Sequence, residues 1–269
     1  MKKSAFGFVI FCGILVASAC VIPVYFPEPG DFPVRTGEFH RVVALAAEGT
    51  VSLENAAGDI DIRGWEKNEV EILAEEAWGW TFARRFWFLG SRRSGPKVDI
   101  DKIDNFLKIK THALNRDIEE EAPAIHYTLN VPHSINLKDI RAKSGRIRIA
   151  DLYGKVRVDL EEGDIKVENF SGSLDISLVR GSAEVELLDM RKEDDIKITV
   201  KRGDITLFLQ PDVMAKIEAS AANGTVSGDF DLGQPLPAKK VTAQIGKPEG
   251  TALSLTALSG NIRLKKIKE

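Results

Sequence analysis

Three clusters hold the side chains best suited, by type and spacing, to do chemistry. Asp99, Asp101, Asp104 and Asn105 offer closely spaced oxygen ligands of the kind that hold calcium. They lack the glycine and terminal glutamate of an EF-hand loop, and Asp99 and Asp101 alternate with Val98 and Ile100 as the solvent face of a strand would. Arg202-Gly203-Asp204 spells an integrin-binding tripeptide. However, Gly203-Asp204-Ile205 has the same form as Gly58-Asp59-Ile60 and Gly163-Asp164-Ile165, so a recurring turn accounts for it. The third cluster holds three of the four tryptophans: Trp78, Trp80, Phe82, Arg84, Arg85, Phe86, Trp87 and Phe88, with Arg92 and Arg93 beyond. Rings settle at a membrane's headgroup boundary while guanidinium groups meet phosphates, which makes these residues candidate membrane or partner contacts. A cap over the end of an apolar core is the other reading of the same residues.

No catalytic constellation accompanies them. The four histidines, His40, His112, His126 and His133, have no metal-binding spacing. The chain has no Gly-x-Ser-x-Gly elbow, Walker loop or dinucleotide fingerprint. Glu119, Glu120 and Glu121 read as a solvated loop. The expectation is a non-enzyme with no cofactor, metal or catalytic residue. A polysaccharide-acting β-helix enzyme would need converging carboxylates, whereas the outward positions mix Arg, Lys, Asp, Glu and Ser.

A formal net charge of −3 provides no broad positive field, so nucleic acid is not an expected partner. With 269 residues and 43% apolar content, the chain can bury a sizeable core. Residues 1–19 stand apart from it. Lys2 and Lys3 precede an apolar run from Ala5 to Val16 that ends in Ala17, Ser18 and Ala19, the layout of a signal peptide. Leu15-Val16-Ala17-Ser18-Ala19-Cys20 resembles the lipobox of bacterial lipoproteins, which implies lipidation at Cys20. Ala17 departs from that pattern, where leucine is more usual, and simple secretion or a retained anchor are the alternatives. Val21 after the cysteine points to the outer membrane in a Gram-negative cell. Cys12 leaves with the signal, so no disulfide framework is available. Residues 20–36 contain four prolines between Pro23 and Pro33 and read as an extended tether, with folded sequence over 37–269.

These residues must be positioned by a repeat. Gly-x-apolar-x-apolar recurs at Gly58, Gly145, Gly154, Gly163, Gly172, Gly181, Gly203 and Gly260, and period-two alternation makes each unit a strand with one apolar face. Asp194 stands for glycine before Ile196, Ile198 and Val200, and Gly224 is followed by Val226 and then Gly228. From Gly145 to Gly181 the glycines fall every nine residues, which suits a two-sided coil of about eighteen residues or an antiparallel meander. Leu152, Leu160, Phe170 and Val179 precede the turns, and such apolar corners favour the coil. Stacking at that step puts Arg146 beside Asp164, Arg157 beside Asp175, and Arg148 over Lys166. The fold class expected is all-β, a parallel β-solenoid of short glycine-punctuated strands with an aromatic-rich insertion or cap near residues 77–95.

Tyr127-Thr128-Leu129-Asn130-Val131-Pro132, Ile135-Asn136-Leu137 and Ser144-Gly145-Arg146-Ile147-Arg148-Ile149, followed by serial Gly-Asp-Ile and Ser-Gly-Ser-Leu units, resemble the bacterial β-strand-repeat family called "putative adhesins". The resemblance spans Gly37 to Lys268. It implies a parallel β-solenoid at the cell envelope with an interaction role and no agreed active site; some members are linked to envelope-stress sensing. The function expected is a non-catalytic, lipid-anchored envelope protein that presents a surface for adhesion or for an envelope protein or glycan. A stress sensor is the alternative.

Overall fold

The computed structural model describes residues 38–77, 97–111, 124–233, 235–246 and 250–267, within the compact unit Val34–Glu269. Among these residues there is no helix; eighteen strands form one mostly parallel open sheet. In chain order they are β1 Glu38–Ala44, β2 Thr50–Ala57, β3 Ile60–Trp65, β4 Glu69–Ala77, β5 Val98–Ile103, β6 Phe106–Thr111, β7 Ala124–Pro132, β8 Asn136–Ser144 and β9 Ile147–Glu162. There follow β10 Ile165–Arg180, β11 Ala183–Asp189, β12 Asp195–Arg202, β13 Ile205–Leu209, β14 Ala215–Asn223, β15 Val226–Gly228, β16 Lys240–Ile245, β17 Thr251–Ser259 and β18 Ile262–Lys266.

The hydrogen-bonded neighbours trace two stacks. One runs β1-β4-β7-β3-β9-β10-β11-β13-β18-β15, the other β5-β6-β2-β8-β9-β10-β12-β17-β14-β16. β9 and β10 belong to both, because each turns a corner midway at Gly154 or Gly172. Strand pairs joined across the corners make rungs: β6–β7, β2–β3, β8–β9, β9–β10, β10–β11, β12–β13, β17–β18 and β14–β15. The pairing of Ile165 with Ile147 and of Gly172 with Gly154 is parallel and eighteen residues apart, so the nine-residue step is half a coil and the meander is overturned. This is a β-solenoid.

All eight repeat glycines have positive φ, from 115° to 151°. They also stack on one another. A Cβ on Gly163 would fall inside the van der Waals radius of the Gly145 carbonyl oxygen, and Gly58, Gly145, Gly163, Gly181, Gly203, Gly260 and Gly224 form one continuous ladder of such contacts. Only glycine satisfies both the left-handed backbone and the close approach. At the opposite corner Gly154 and Gly172 are joined by Asp151 and Asn169, with φ of 59° and 50°, residue types that tolerate this region. Asn169 Nδ2 donates to Asp151 Oδ1 at 2.9 Å.

Both apolar positions of all eight repeat units are buried, and so are Leu152, Leu160 and Phe170. Val179 differs from expectation. Leu174, Ile176 and Leu178 take the inward phase of that strand, so alternation leaves Val179 only half-buried on the outward phase.

Candidate functional site

Cys20, the tether and the cluster Trp78, Trp80, Phe82, Arg84, Arg85, Phe86, Trp87 and Phe88 lie outside the described residues, as do His112 and Glu119 to Glu121. The described strands locate their attachment points. β4 ends at Ala77, paired with Ala124, where β7 begins; β5 begins at Val98, paired with Thr111, where β6 ends. β1 begins at Glu38, paired with Glu75. The strand ends Glu38, Ala77, Val98, Thr111 and Ala124 therefore all lie at the first end of the stack, along the glycine corner. A buried network holds this corner. Asn55 Nδ2 donates to the carbonyls of Ala57 (3.0 Å) and Ile125 (2.8 Å), and the Thr111 hydroxyl donates to Asn55 Oδ1 (3.1 Å). That leaves the Tyr127 hydroxyl to donate to Thr111 Oγ1 (2.7 Å). Burial pushes the Tyr127 phenol up to about 12, so it stays a neutral donor.

On the outward face at this end, β1, β4 and β7 form an open groove of about 270 Å³ lined by Glu38, His40, Glu71, Leu73, Thr128 and Asn130. Asn130 Nδ2 donates to Glu71 Oε2 (2.8 Å) and His40 Nε2 lies 3.1 Å from Oε1. The bond from Asn130, then that from His40, holds the Glu71 carboxyl below its ordinary range. Both carboxylate oxygens are engaged, and no nucleophile is paired with a base here.

Further along, Arg148 does stack over Lys166, and Glu168 resolves the like charges. Its Oε2 lies 2.7 Å from Arg148 Nε and its Oε1 3.0 Å from Lys166 Nζ, with Glu184 a further 3.6 Å from Lys166. Burial pushes the Glu168 carboxyl up, but the bonds from Lys166 and Arg148 outweigh it and hold it low. Of the expected pairs, Arg157 and Asp175 are in register, while Arg146 and Asp164 precede their strands; the Arg157 and Asp164 side chains turn elsewhere. Arg157 Nε is 3.7 Å from Asp159, and Asp164 Oδ1 accepts the Ser182 N–H at 2.9 Å.

The Asp164 bond is one of a series. Asp59 accepts from Arg146 N–H, Asp204 from Asn261 N–H and Asn261 from Thr225 N–H, each bracketing the next rung's corner. In Arg202-Gly203-Asp204 the Asp204 carboxylate is thus engaged within the fold. The Asn261 N–H donates at 2.8 Å and Arg263 lies at 2.9 Å, and these hold the carboxyl below its ordinary range.

The remaining candidates are structural. Asp99 and Asp101 face Lys110 and Lys108 across the strand. Asp104 makes a left-handed turn (φ 52°), and the Asn105 amide accepts the Ala46 N–H at 3.0 Å. His126 Nδ1 accepts the Asp59 N–H, and His133 Nδ1 donates to the Asp151 carbonyl. No group of three or more metal-ligating side chains occurs among the described residues. Sequence reasoning missed the groove and the bracketing role of the aspartates. The recurrence of Asp or Asn after the corner glycine was the signal for the second.

The sequence matches Toastrack DUF4097 over residues 43–265. The chain belongs to the Toastrack DUF4097 family. No curated protein matches it. Among solved structures, a "putative cell adhesion protein" from Clostridium sporogenes is similar at 15% identity, covering 87% of this chain and 100% of that one, with a TM-score of 0.51. A "putative adhesin" from Bacteroides fragilis covers 86% and 97% at 12% identity, with a TM-score of 0.31. The Clostridium structure supports the fold of this Toastrack domain.

Proposed function

We infer that this Toastrack protein is a non-catalytic, lipid-anchored protein of the bacterial envelope, exported to the outer membrane in a Gram-negative cell, whose solenoid presents an interaction surface to an envelope protein or glycan. One observation carries the reading. β1, which continues the tether from Cys20, begins opposite Glu75, two residues before the end of β4 at Ala77, where the aromatic and arginine-rich segment starts. A lipid anchor and an interfacial aromatic segment can engage one bilayer together only if they emerge at the same end of a rigid body. The adhesion name of the Clostridium relative agrees with this role.

Replacing Cys20→Ala is expected to move the protein from the membrane to the soluble fraction; unchanged fractionation refutes lipidation. With the segment Val34–Glu269, Trp80→Ala with Trp87→Ala is expected to reduce binding to anionic liposomes at least tenfold. Binding that survives both changes leaves the aromatic segment as a cap alone. Protease applied to intact cells is expected to cleave the domain. Complete protection removes external adhesion and leaves a periplasmic, sensor-type role.

A further inference from the structure

The two ends of the stack finish differently. At the first end the outer strands are β1 and β5. β1 carries Glu38, His40 and Arg41, and β5 carries Asp99, Asp101 and Lys102. Charges on an edge strand oppose pairing with another chain. At the far end one stack closes with the bridge from Val226 to Ala238, in a stretch containing Pro235 and Pro237, residues with no N–H to offer. The other stack closes with β16, which has no proline and whose one charge, Lys240, stands at its first residue. From Val241 to Ile245 it has no charge, no proline and no break in its register with β14. Among the described residues no strand lies on its far side. Of its inward residues only Val241 is buried, while Ala243 and Ile245 are half-buried, so the last layer of the core is partly open.

We propose that β16 pairs antiparallel with β16 of a second copy of this chain, about a twofold axis through Ala243. A twofold axis perpendicular to the sheet brings residues of the same face together. Val241 then meets the partner's Ile245, Thr242 meets the partner's Gln244, and Ala243 meets its own equivalent. Within Val241–Ile245 apolar residues oppose apolar ones, polar oppose polar, and no charges meet. The other edges fail this test. Centring β5 on Asp101 sets aspartate on aspartate, centring it on Ile100 sets Asp99 against Asp101, and centring β1 on Arg41 sets arginine on arginine. The pairing also covers the open layer at Ala243 and Ile245, as an uncapped repeat stack requires.

The segment Val34–Glu269 contains every residue of the core and neither cysteine, so it suits the test. Sedimentation equilibrium is expected to show a dimer at micromolar concentrations. Thr242→Lys with Gln244→Lys is expected to yield a monomer with unchanged circular dichroism. Ala243→Cys should form a disulfide dimer on mild oxidation, since facing Cβ atoms across such a pair lie about 5 Å apart. Ile103→Cys, on β5, should not. A monomer at every concentration, or cross-linking of Ala243→Cys no faster than of Ile103→Cys, overturns the proposal. So does a monomer that captures an envelope protein and loses it with the two lysines, which would assign the edge to a foreign strand.

Discussion

The middle of the stack and its two ends are built from the same rung but ordered by different rules. From β8 to β13 each rung lies on the one made just before it. At the first end the chain begins with β2–β3, goes outward to build β6–β7, and returns to lay β8 on the other side of β2. At the far end β17–β18 likewise come last in the chain and lie between β12–β13 and β14–β15. Every rung presents the same glycine corner and the same inward apolar pairs, so any rung can stack on any other. The unit defines a rung; closing the ends decides its place. In the middle a rung needs two neighbours, whereas at an end it needs an antiparallel strand to cover it, supplied by β4, β5 and β16.

That contrast can be broken most forcefully at the ladder. Gly163→Val puts a β-branched side chain at φ 134° against the Gly145 carbonyl, and we expect it to cost more than about 4 kcal/mol. Thermal unfolding should show a collapsed midpoint or no folded protein. At the far end Gly233 has φ 66° with open space around its Cβ position, so Gly233→Ala should cost only about 1 kcal/mol. Equal losses would erase the distinction. Next in size, Phe170→Ala empties a fully buried site at the second corner, with an expected loss of about 3–5 kcal/mol in urea unfolding.

The first end offers a smaller effect. Tyr127→Phe removes the hydroxyl that completes the Asn55–Thr111 network, and about 1 kcal/mol should be lost, read from the denaturation midpoint at unchanged slope. Smallest is Glu168→Gln, which leaves Arg148 over Lys166 without its bridging charge and should cost below about 1 kcal/mol. The carboxyl is held low in the fold. Its stabilisation is therefore present above the ordinary glutamate range and lost as pH falls through the depressed value. Wild type and variant should converge in acid; a difference that persists there would place the effect elsewhere.

The sequence revealed what is local. The glycines from Gly145 to Gly181 keep their step because adjacent rungs are made by adjacent residues, and the inward phase follows from alternation. Gly58 rests against Gly145 only because β2–β3 is enclosed later by distant strands, and no spacing near Gly58 records that. The groove was unreadable for the same reason, since His40, Glu71 and Asn130 come from three strands brought together by the end cap. Arg157 does stack beside Asp175, but its side chain lies 3.7 Å from Asp159, two residues on along the same face of its own strand. The aspartates after the corner glycines read as turn residues, and their further role as acceptors for the next rung's N–H needs the stacked geometry.

The placement of β17–β18 inside the stack has a mechanical consequence. A machine that pulls on the chain from beyond β18, as an unfoldase or a processive protease does, meets a rung that is flanked on both sides. β18 is held by β13 and β15 and β17 by β12 and β14, with the pull directed along the strands. Nothing can be unzipped one bond at a time from an open border. Two ladders must shear at once, so traction applied beyond β18 meets a doubly held rung first.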